Sequence, residues 1–218
     1  MIKCFMFDLD GTLLNTIVSI THYVNKTLQK YGISPISEQD CKSFVGNGAK
    51  KLVDRTLVFR ERYTEEFAEE FYRAYMAEYD ADPLYLTHPY DGIPELIGKL
   101  RESGARLAVI SNKQDASTVP VIKHFFGDAI DIVRGGREGF PLKPSPEVPL
   151  SILKELGVSP SECVYVGDSE VDMQTGKNMG AALTVGVSWG FRSFEVLVSS
   201  GADTVVGSVD ELLKAVGL

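Results

Sequence analysis

Asp8 and Asp10 stand one residue apart at the end of an apolar run, in the stretch CFMFDLDGTLLNT that spans residues 4–16. Two carboxylates so close repel each other, and one is driven toward its neutral form unless a cation lies between them. A hard divalent cation such as Mg2+ takes oxygen ligands and suits this pair. Gly11 lets the backbone turn sharply and bring its N–H groups toward an anion, and Thr12 adds a hydroxyl donor. The same letters also fit a plain strand that finishes in an acidic turn.

Similar residue types recur further along, each just after a short apolar run. Ser111 and Asn112 follow Ile110, Asp168 and Asp172 follow Val166, and Lys143 sits in the loop LKPSP. Each has an ordinary alternative: Lys143 as a solvated loop lysine, Ser111 and Asn112 as helix caps, Asp172 as an exposed helix residue. What joins them is position. Ligands of parallel α/β sheets bind in the crevice at the carboxyl ends of the strands, and all of these residues fall at such ends or in the loops beside them.

The elements that must position them can be read from periodicity. From residue 90 onward, helices and short apolar strands alternate: helix 93–103 stopped by Gly104, strand 106–110, helix 117–125, strand 129–133 and a helix opened by Ser145 and Pro146. Strand 163–166, helix 171–179, strand 182–187 and strand 204–206 follow, then a helix with a Ser208–Glu211 capping box. Nearly continuous apolar strands alternating with helices mean a parallel sheet covered on both faces. Strand 3–7 belongs to that sheet, so the block from about 16 to 82 is an insertion after it. That block reads as all-helical: Ile17–Tyr31 has helical spacing and ends at Gly32, Ser37–Asp40 starts a second helix, and a third follows Gly46 and Gly48. Thr64 caps a fourth, whose Phe67, Phe71, Tyr72, Tyr75, Met76 and Tyr79 form an aromatic stripe expected to pack on neighbouring helices.

The 218 residues are 44% hydrophobic and carry a formal net charge of −8, ordinary for a globular chain with a sizeable core. The acidic balance argues against nucleic acid and against anionic membrane surfaces as partners. The three cysteines form no CxxC pair, which fits a reducing cytoplasm. Asp8 and Asp10 interrupt any leader-like apolar segment, and no run is long enough to span a membrane.

Taken together, the residues resemble the haloacid dehalogenase superfamily of phosphotransferases. DLDGT at Asp8–Thr12, Ser111 after an apolar strand, Lys143, and GDSEVD at Gly167–Asp172 match its four motifs in order, over the whole chain. The resemblance implies an α/β fold with a Rossmann-like parallel-sheet core, residues 1–15 and 86–218, and an inserted α-helical cap, residues 16–85. It implies Asp8 as the nucleophile that forms an aspartyl phosphate, and Asp10 as the acid that protonates the leaving alkoxide and later deprotonates water. Mg2+ would be held by the Asp8 carboxylate, the Asp10 carbonyl and Asp168, with Asp172 a further ligand or a partner behind the ligands. Ser111 would donate to a phosphoryl oxygen and Lys143 would neutralise charge on the transferring group; Gly11, Thr12 and Asn112 would line the phosphate.

The resemblance also narrows the chemistry. Dehalogenases and phosphonate-cleaving members lack an acid at the position of Asp10, and ion-pumping ATPases have threonine there, so Asp10 points to phosphate esters. Mutases similar to beta-phosphoglucomutase carry a histidine where this chain has Ile20. FVGNGAKKLV at 44–53 resembles the specificity loop of phosphoglycolate phosphatases, and PYDGIPELI and GVSWGF resemble the same branch. Gly46, Asn47 and Gly48 are therefore expected at the substrate, with cap hinges near 14–17 and 82–89. Asn15 stands where many relatives have aspartate. The expected protein is a cytoplasmic phosphomonoester phosphatase, monomer or homodimer, acting on a small phosphorylated metabolite, with 2-phosphoglycolate as the leading substrate. Nucleotide or sugar phosphates and pyrophosphate are the alternatives, and a non-catalytic relative that binds a phosphorylated ligand or a protein is the reading from a different class.

Overall fold

The computed structural model describes residues 1–218. Strand β1 (Cys4–Phe7) starts the sheet, and a two-residue strand, β2 (Leu14–Asn15), leads into four helices: α1 (Ile17–Lys30), α2 (Glu38–Phe44), α3 (Ala49–Phe59) and α4 (Glu65–Ala81). The chain returns through β3 (His88–Pro89), then runs α5 (Ile93–Glu102), β4 (Arg106–Gln114), α6 (Asp115–Phe126), β5 (Ile132–Gly136) and α7 (Glu147–Leu156). After a short 3-10 turn come β6 (Cys163–Gly167), α8 (Glu170–Met179), β7 (Leu183–Val187), α9 (Phe194–Ser199), β8 (Thr204–Val206) and α10 (Val209–Ala215).

Six strands form one parallel sheet in the order β5-β4-β1-β6-β7-β8. Side chains of β1 alternate between its two faces: Phe5 and Phe7 join one apolar cluster with Val109, Val166 and Val185, while Cys4 and Met6 join another with Ile110 and Tyr165. A third cluster, built on Tyr23, Leu52, Phe71 and Tyr75, gathers the helical block, with Phe191 packed against it from beyond β7. The chain leaves the sheet and returns to it side by side, because β2 and β3 pair antiparallel, Leu14 with Pro89 and Asn15 with His88. Chain order reverses at β1, so the crevice above β1, β4 and β6 is where such a sheet binds its ligands.

Two strands and one helix cap differ from expectation. Strand β4 continues past Ile110 to Gln114 through an irregularity in its pairing with β5, which lifts Ser111, Asn112 and Lys113 above the sheet. Strand β5 lies at 132–136 rather than 129–133. Its first expected residues close the turn after α6, with the Ala129 N–H on Phe126 and the Asp131 carboxylate accepting from the Leu107 N–H at 2.7 Å. At α10, Ser208 accepts from the Glu211 N–H as expected, but the Glu211 carboxylate takes the Gly207 N–H, so the box is not reciprocal.

Candidate active site

The Asp8 N–H donates to Val166 O at 2.9 Å, which carries the β1 ladder one residue further and aims the Asp8 side chain over the rim. Its Oδ1 lies 2.6 Å from Lys143 Nζ, and the same ammonium lies 2.7 Å from Asp172 Oδ1. Asp172 has no spare capacity. Oδ1 also accepts from Tyr165 Oη at 3.1 Å, and Oδ2 accepts from the Ser169 N–H at 3.1 Å and the Ser169 hydroxyl at 2.5 Å, closing the capping box of α8. Lys143 is held from its backbone as well: its N–H donates to Asn112 Oδ1 at 2.8 Å, and Asn112 Nδ2 donates to Lys143 O at 3.1 Å.

Asp168 stands on the other side of Asp8. Its Oδ2 accepts from the Phe191 N–H at 2.7 Å and its Oδ1 from the Thr12 hydroxyl at 3.4 Å. Gly11, with φ 89°, and Gly190 wall it in, since a Cβ on either would run into the Asp168 side chain. Carboxylate oxygens of Asp8, Asp168 and Asp172 all lie within 4.8 Å of one another, and all three residues are buried. Burial first, and then the charge of Asp172, push the Asp8 carboxyl up to about 7 despite the pull of Lys143. Burial followed by Asp172 and Asp8 pushes Asp168 up as well. Burial opposes the charge on Lys143, yet Asp172 and Asp8 hold its ammonium well above the usual lysine range. Three buried carboxylates against one ammonium are short of positive charge, and Asp8 and Asp168 are the two not fully taken up by protein donors. That donor set fits a hard divalent cation.

Asp10 lies outside this cluster. Its carboxylate faces the cavity above the rim, 3.3 Å from Lys113 Nζ. Ser111 and Asn112 also line this cavity, and Ile20, Val45, Leu52, Tyr75 and Tyr79 of the helical block close it from above. Several hydrogen bonds tie the block down, among them two sets beside the cavity. Asn112 Nδ2 reaches Gly46 O at 3.1 Å, and the Arg192 guanidinium bonds Lys42 O and Val45 O at the end of α2 while its Nε pairs with Glu170 at 2.8 Å.

The structure therefore brings together Asp8, Asp10, Ser111, Asn112, Lys143 and Asp168 around one cavity, with Asp172 directly behind Lys143. Three expectations need correction. The Gly11 and Thr12 N–H groups do not face an anion; they donate to Leu14 O and Leu9 O inside their own turn, and Thr12 uses its hydroxyl on Asp168. Asn47 does not line the cavity, because its Oδ1 accepts from Arg55 at 2.8 Å, whereas Gly46 and Gly48 do line it. The aromatic stripe of α4 is only partly packing, since Tyr75, Met76 and Tyr79 form part of the cavity wall. Sequence reasoning missed Lys113, Phe191 and Arg192. The signal for Lys113 was its place directly after Ser111 and Asn112; Phe191 is the last residue of the GVSWGF segment and Arg192 directly follows it.

A parallel sheet with three buried carboxylates around one buried lysine at its switch point has the layout of an α/β enzyme that handles a charged ligand at the carboxyl ends of its strands. Residues 5–185 match the haloacid dehalogenase-like hydrolase family. The chain is 34% identical over 206 residues to the phosphoglycolate phosphatase of Rhodospirillum rubrum, covering 92% of this chain and 85% of that one. It is 30% identical to the phosphoglycolate phosphatase of Aquifex aeolicus, covering 87% and 86%. Among solved structures, a Lactobacillus delbrueckii protein at 30% identity aligns with a TM-score of 0.94 over 98% of both chains. A predicted phosphoglycolate phosphatase from Haemophilus somnus, 25% identical, aligns at 0.91 over 99% and 98%. The chain belongs to the haloacid dehalogenase-like hydrolase family, and it is a phosphatase. No helix is long and apolar enough to cross a membrane.

Proposed function

We propose that this protein is a Mg2+-dependent phosphomonoester phosphatase that works through an aspartyl-phosphate intermediate, with 2-phosphoglycolate as its substrate in the cytoplasm. The observation that carries the reading is the pair of aspartates with separate surroundings: Asp8 held against Lys143 in the acidic cluster, Asp10 turned into the cavity beside Lys113. Asp8 Oδ1 is committed to Lys143, which leaves Oδ2 to attack phosphorus. As that bond forms, the P–O bond to the ester oxygen breaks and Asp10 gives the departing alkoxide its proton. Asp10 then takes a proton from the water that attacks the acyl phosphate, which returns Asp8 and releases inorganic phosphate. The Ser111 hydroxyl, whose oxygen accepts from the Lys113 N–H at 3.2 Å, keeps its own hydrogen for a phosphoryl oxygen. Lys143 balances charge on Asp8 and on the transferring group throughout.

Asp8, the Asp10 carbonyl and Asp168 would hold Mg2+, which when bound supplies positive charge to the phosphoryl oxygens and relieves repulsion within the acidic cluster. Residues 16–85 act as a cap on a core of 1–15 and 86–218, hinged at the paired β2 and β3, and closure excludes water from the reacting groups. Ile20, in the cavity wall where a mutase would need a proton acceptor, supports hydrolysis over phosphoryl relocation. The substrate rests on the names of the relatives and on a compact cavity whose roof is largely apolar. A substrate panel with Mg2+ or with EDTA tests it. The highest kcat/KM should fall on 2-phosphoglycolate, with activity lost in EDTA; a higher value for any nucleotide, sugar phosphate or pyrophosphate would overturn the assignment.

A further inference from the structure

Three cations reach the cavity wall, and two are spoken for. Lys143 is held between two carboxylates, Asp8 and Asp172, and the Arg192 guanidinium is held by one bond each to Lys42 O, Val45 O and Glu170. Lys113 differs. Its ammonium has three N–H donors. One meets Asp10 Oδ1 at 3.3 Å, one meets the Tyr79 hydroxyl, and the ammonium stands 4.3 Å over the Tyr79 ring with its side chain 10% exposed. A donor is left over, on a desolvated cation that lines the cavity beside Asp10, facing Ile20, Val45, Leu52, Tyr75 and Met76 of the helical block.

Resting on the phosphatase reading above, the geometry points to Lys113 as the residue that reads a second anionic group on the substrate, a carboxylate on the carbon next to the ester oxygen. The distance sets the class. Asp10 is the group that meets the ester oxygen, and Lys113 Nζ is 3.3 Å from its carboxylate. In a phosphorylated 2-hydroxy acid the nearer carboxylate oxygen is three bonds from the ester oxygen, so one small molecule touches both groups without a further pocket. An anion on a longer arm would pass Lys113 toward Ile20, Leu52 and Met76, none of which can pair a charge. Tyr79 belongs to α4 of the cap, so the ammonium is fixed in place only while the cap is down. Recognition of the carboxylate and closure over the reacting phosphate thus use the same cation.

The test compares 2-phosphoglycolate with 2-hydroxyethyl phosphate, in which CH2OH replaces the carboxylate and the leaving group is still an alkoxide needing Asp10. Wild type should favour the carboxylate ester, and Lys113→Gln should shrink that preference about 100-fold, mostly through KM, in line with removal of one partner of a desolvated charge pair. Lys113→Arg, which keeps the charge, should retain more of the preference. Equal losses on both esters in Lys113→Gln would mean the lysine acts only by placing Asp10, and would overturn the assignment. A wild-type preference that survives Lys113→Gln also overturns it while leaving the phosphoglycolate reading intact; a wild type with no preference brings down both. If Lys113→Gln lacks a cooperative thermal transition, inhibition of wild type by glycolate against ethylene glycol decides, and equal inhibition by the two counts against Lys113.

Discussion

Asp172 is a residue whose two conceivable roles lead to opposite thermodynamics. As a metal ligand it would be a carboxylate held near Asp8 and Asp168 at a cost, relieved only by the cation. The structure gives it other work, because four protein donors fill its two oxygens: Lys143 Nζ at 2.7 Å, Tyr165 Oη at 3.1 Å, and the Ser169 N–H and hydroxyl. Replacing it with alanine removes the carboxylate half of the α8 capping box, a loss of about 1 kcal/mol. It leaves the buried Tyr165 hydroxyl unpaired, about 1–3 kcal/mol. Lys143 keeps only Asp8, and breaking one side of a buried ion pair costs roughly 3–5 kcal/mol where no partner remains, less here. These terms overlap. A destabilisation of about 3 kcal/mol for Asp172→Ala, and about 1 kcal/mol for Asp172→Asn, which keeps an acceptor for Lys143, is the expected order.

Urea unfolding of wild type and both variants, in EDTA and in saturating Mg2+, separates the roles. A supporting residue shows its loss in EDTA, and Mg2+ still stabilises each variant, by up to about 2.7 kcal/mol at a hundred times its dissociation constant. Activity of Asp172→Asn should drop about 10- to 100-fold, as the lysine behind the nucleophile loses its anchor. Equal stabilities in EDTA, with the Mg2+ increment missing from the variants, would refute the reasoning and make Asp172 a ligand.

Asp10→Asn should cut turnover of alkyl phosphates about 100- to 10,000-fold and that of aryl phosphates far less, because an aryl oxide leaves without a proton; single-turnover measurement of both ester types checks it. In EDTA, stability should fall as pH rises from about 4 to about 7. The folded pKa of Asp8 is raised from the ordinary carboxylate value to about 7, so over that window the native state binds more protons than the unfolded chain and loses its advantage as they leave. Lys143 is held above its usual range and stays charged throughout, so urea midpoints measured across this range isolate the carboxylates, and Mg2+ should flatten the slope. Gly190→Ala should destabilise the protein by about 1–3 kcal/mol and lower kcat, since a Cβ there strikes Asp168 and the Gly11 carbonyl; an unaltered melting temperature would count against the close approach.

The sheet and much of the site were legible because they are local. A parallel strand buried on both faces reads as a short apolar run, and the residue that follows it lands on the rim, so Asp8, Ser111 and Asp168 could be collected from one-dimensional positions. What escaped depends on contacts between distant segments. Lys113 was not singled out; it is buried because β4 is irregular beyond Ile110 and Tyr79 descends on it from α4. Asn47 reads as a loop donor, but Arg55 two turns along α3 turns it aside. The place of β5 was misread because Asp131 looks like a strand residue in an apolar run, when its carboxylate is spent on the Leu107 N–H. The role of Asp172 was partly readable, since Ser169 and Asp172 have capping-box spacing, a pattern that commits a carboxylate to its own helix terminus before any metal is considered.

That last point bears on how an acidic chain handles a phosphate dianion. Counting charges that touch at the rim, Asp8, Asp168 and Asp172 face Lys143, while Asp10 and Lys113 form a separate pair. The first group is negative on balance and the second is neutral, so the protein groups alone repel what they are arranged to bind. Distant surface acids do not decide the matter, because salt screens them beyond about 10 Å. The deficit is local, and it sits at Asp8 and Asp168, the two carboxylates least occupied by protein donors. A divalent cation there would cancel the negative balance of the rim, whereas at Asp172 it would have to displace Lys143. The hydrogen bonds around Asp172 thus do two things at once: they seat the lysine, and they leave Asp8 and Asp168 as the carboxylates with room for a cation.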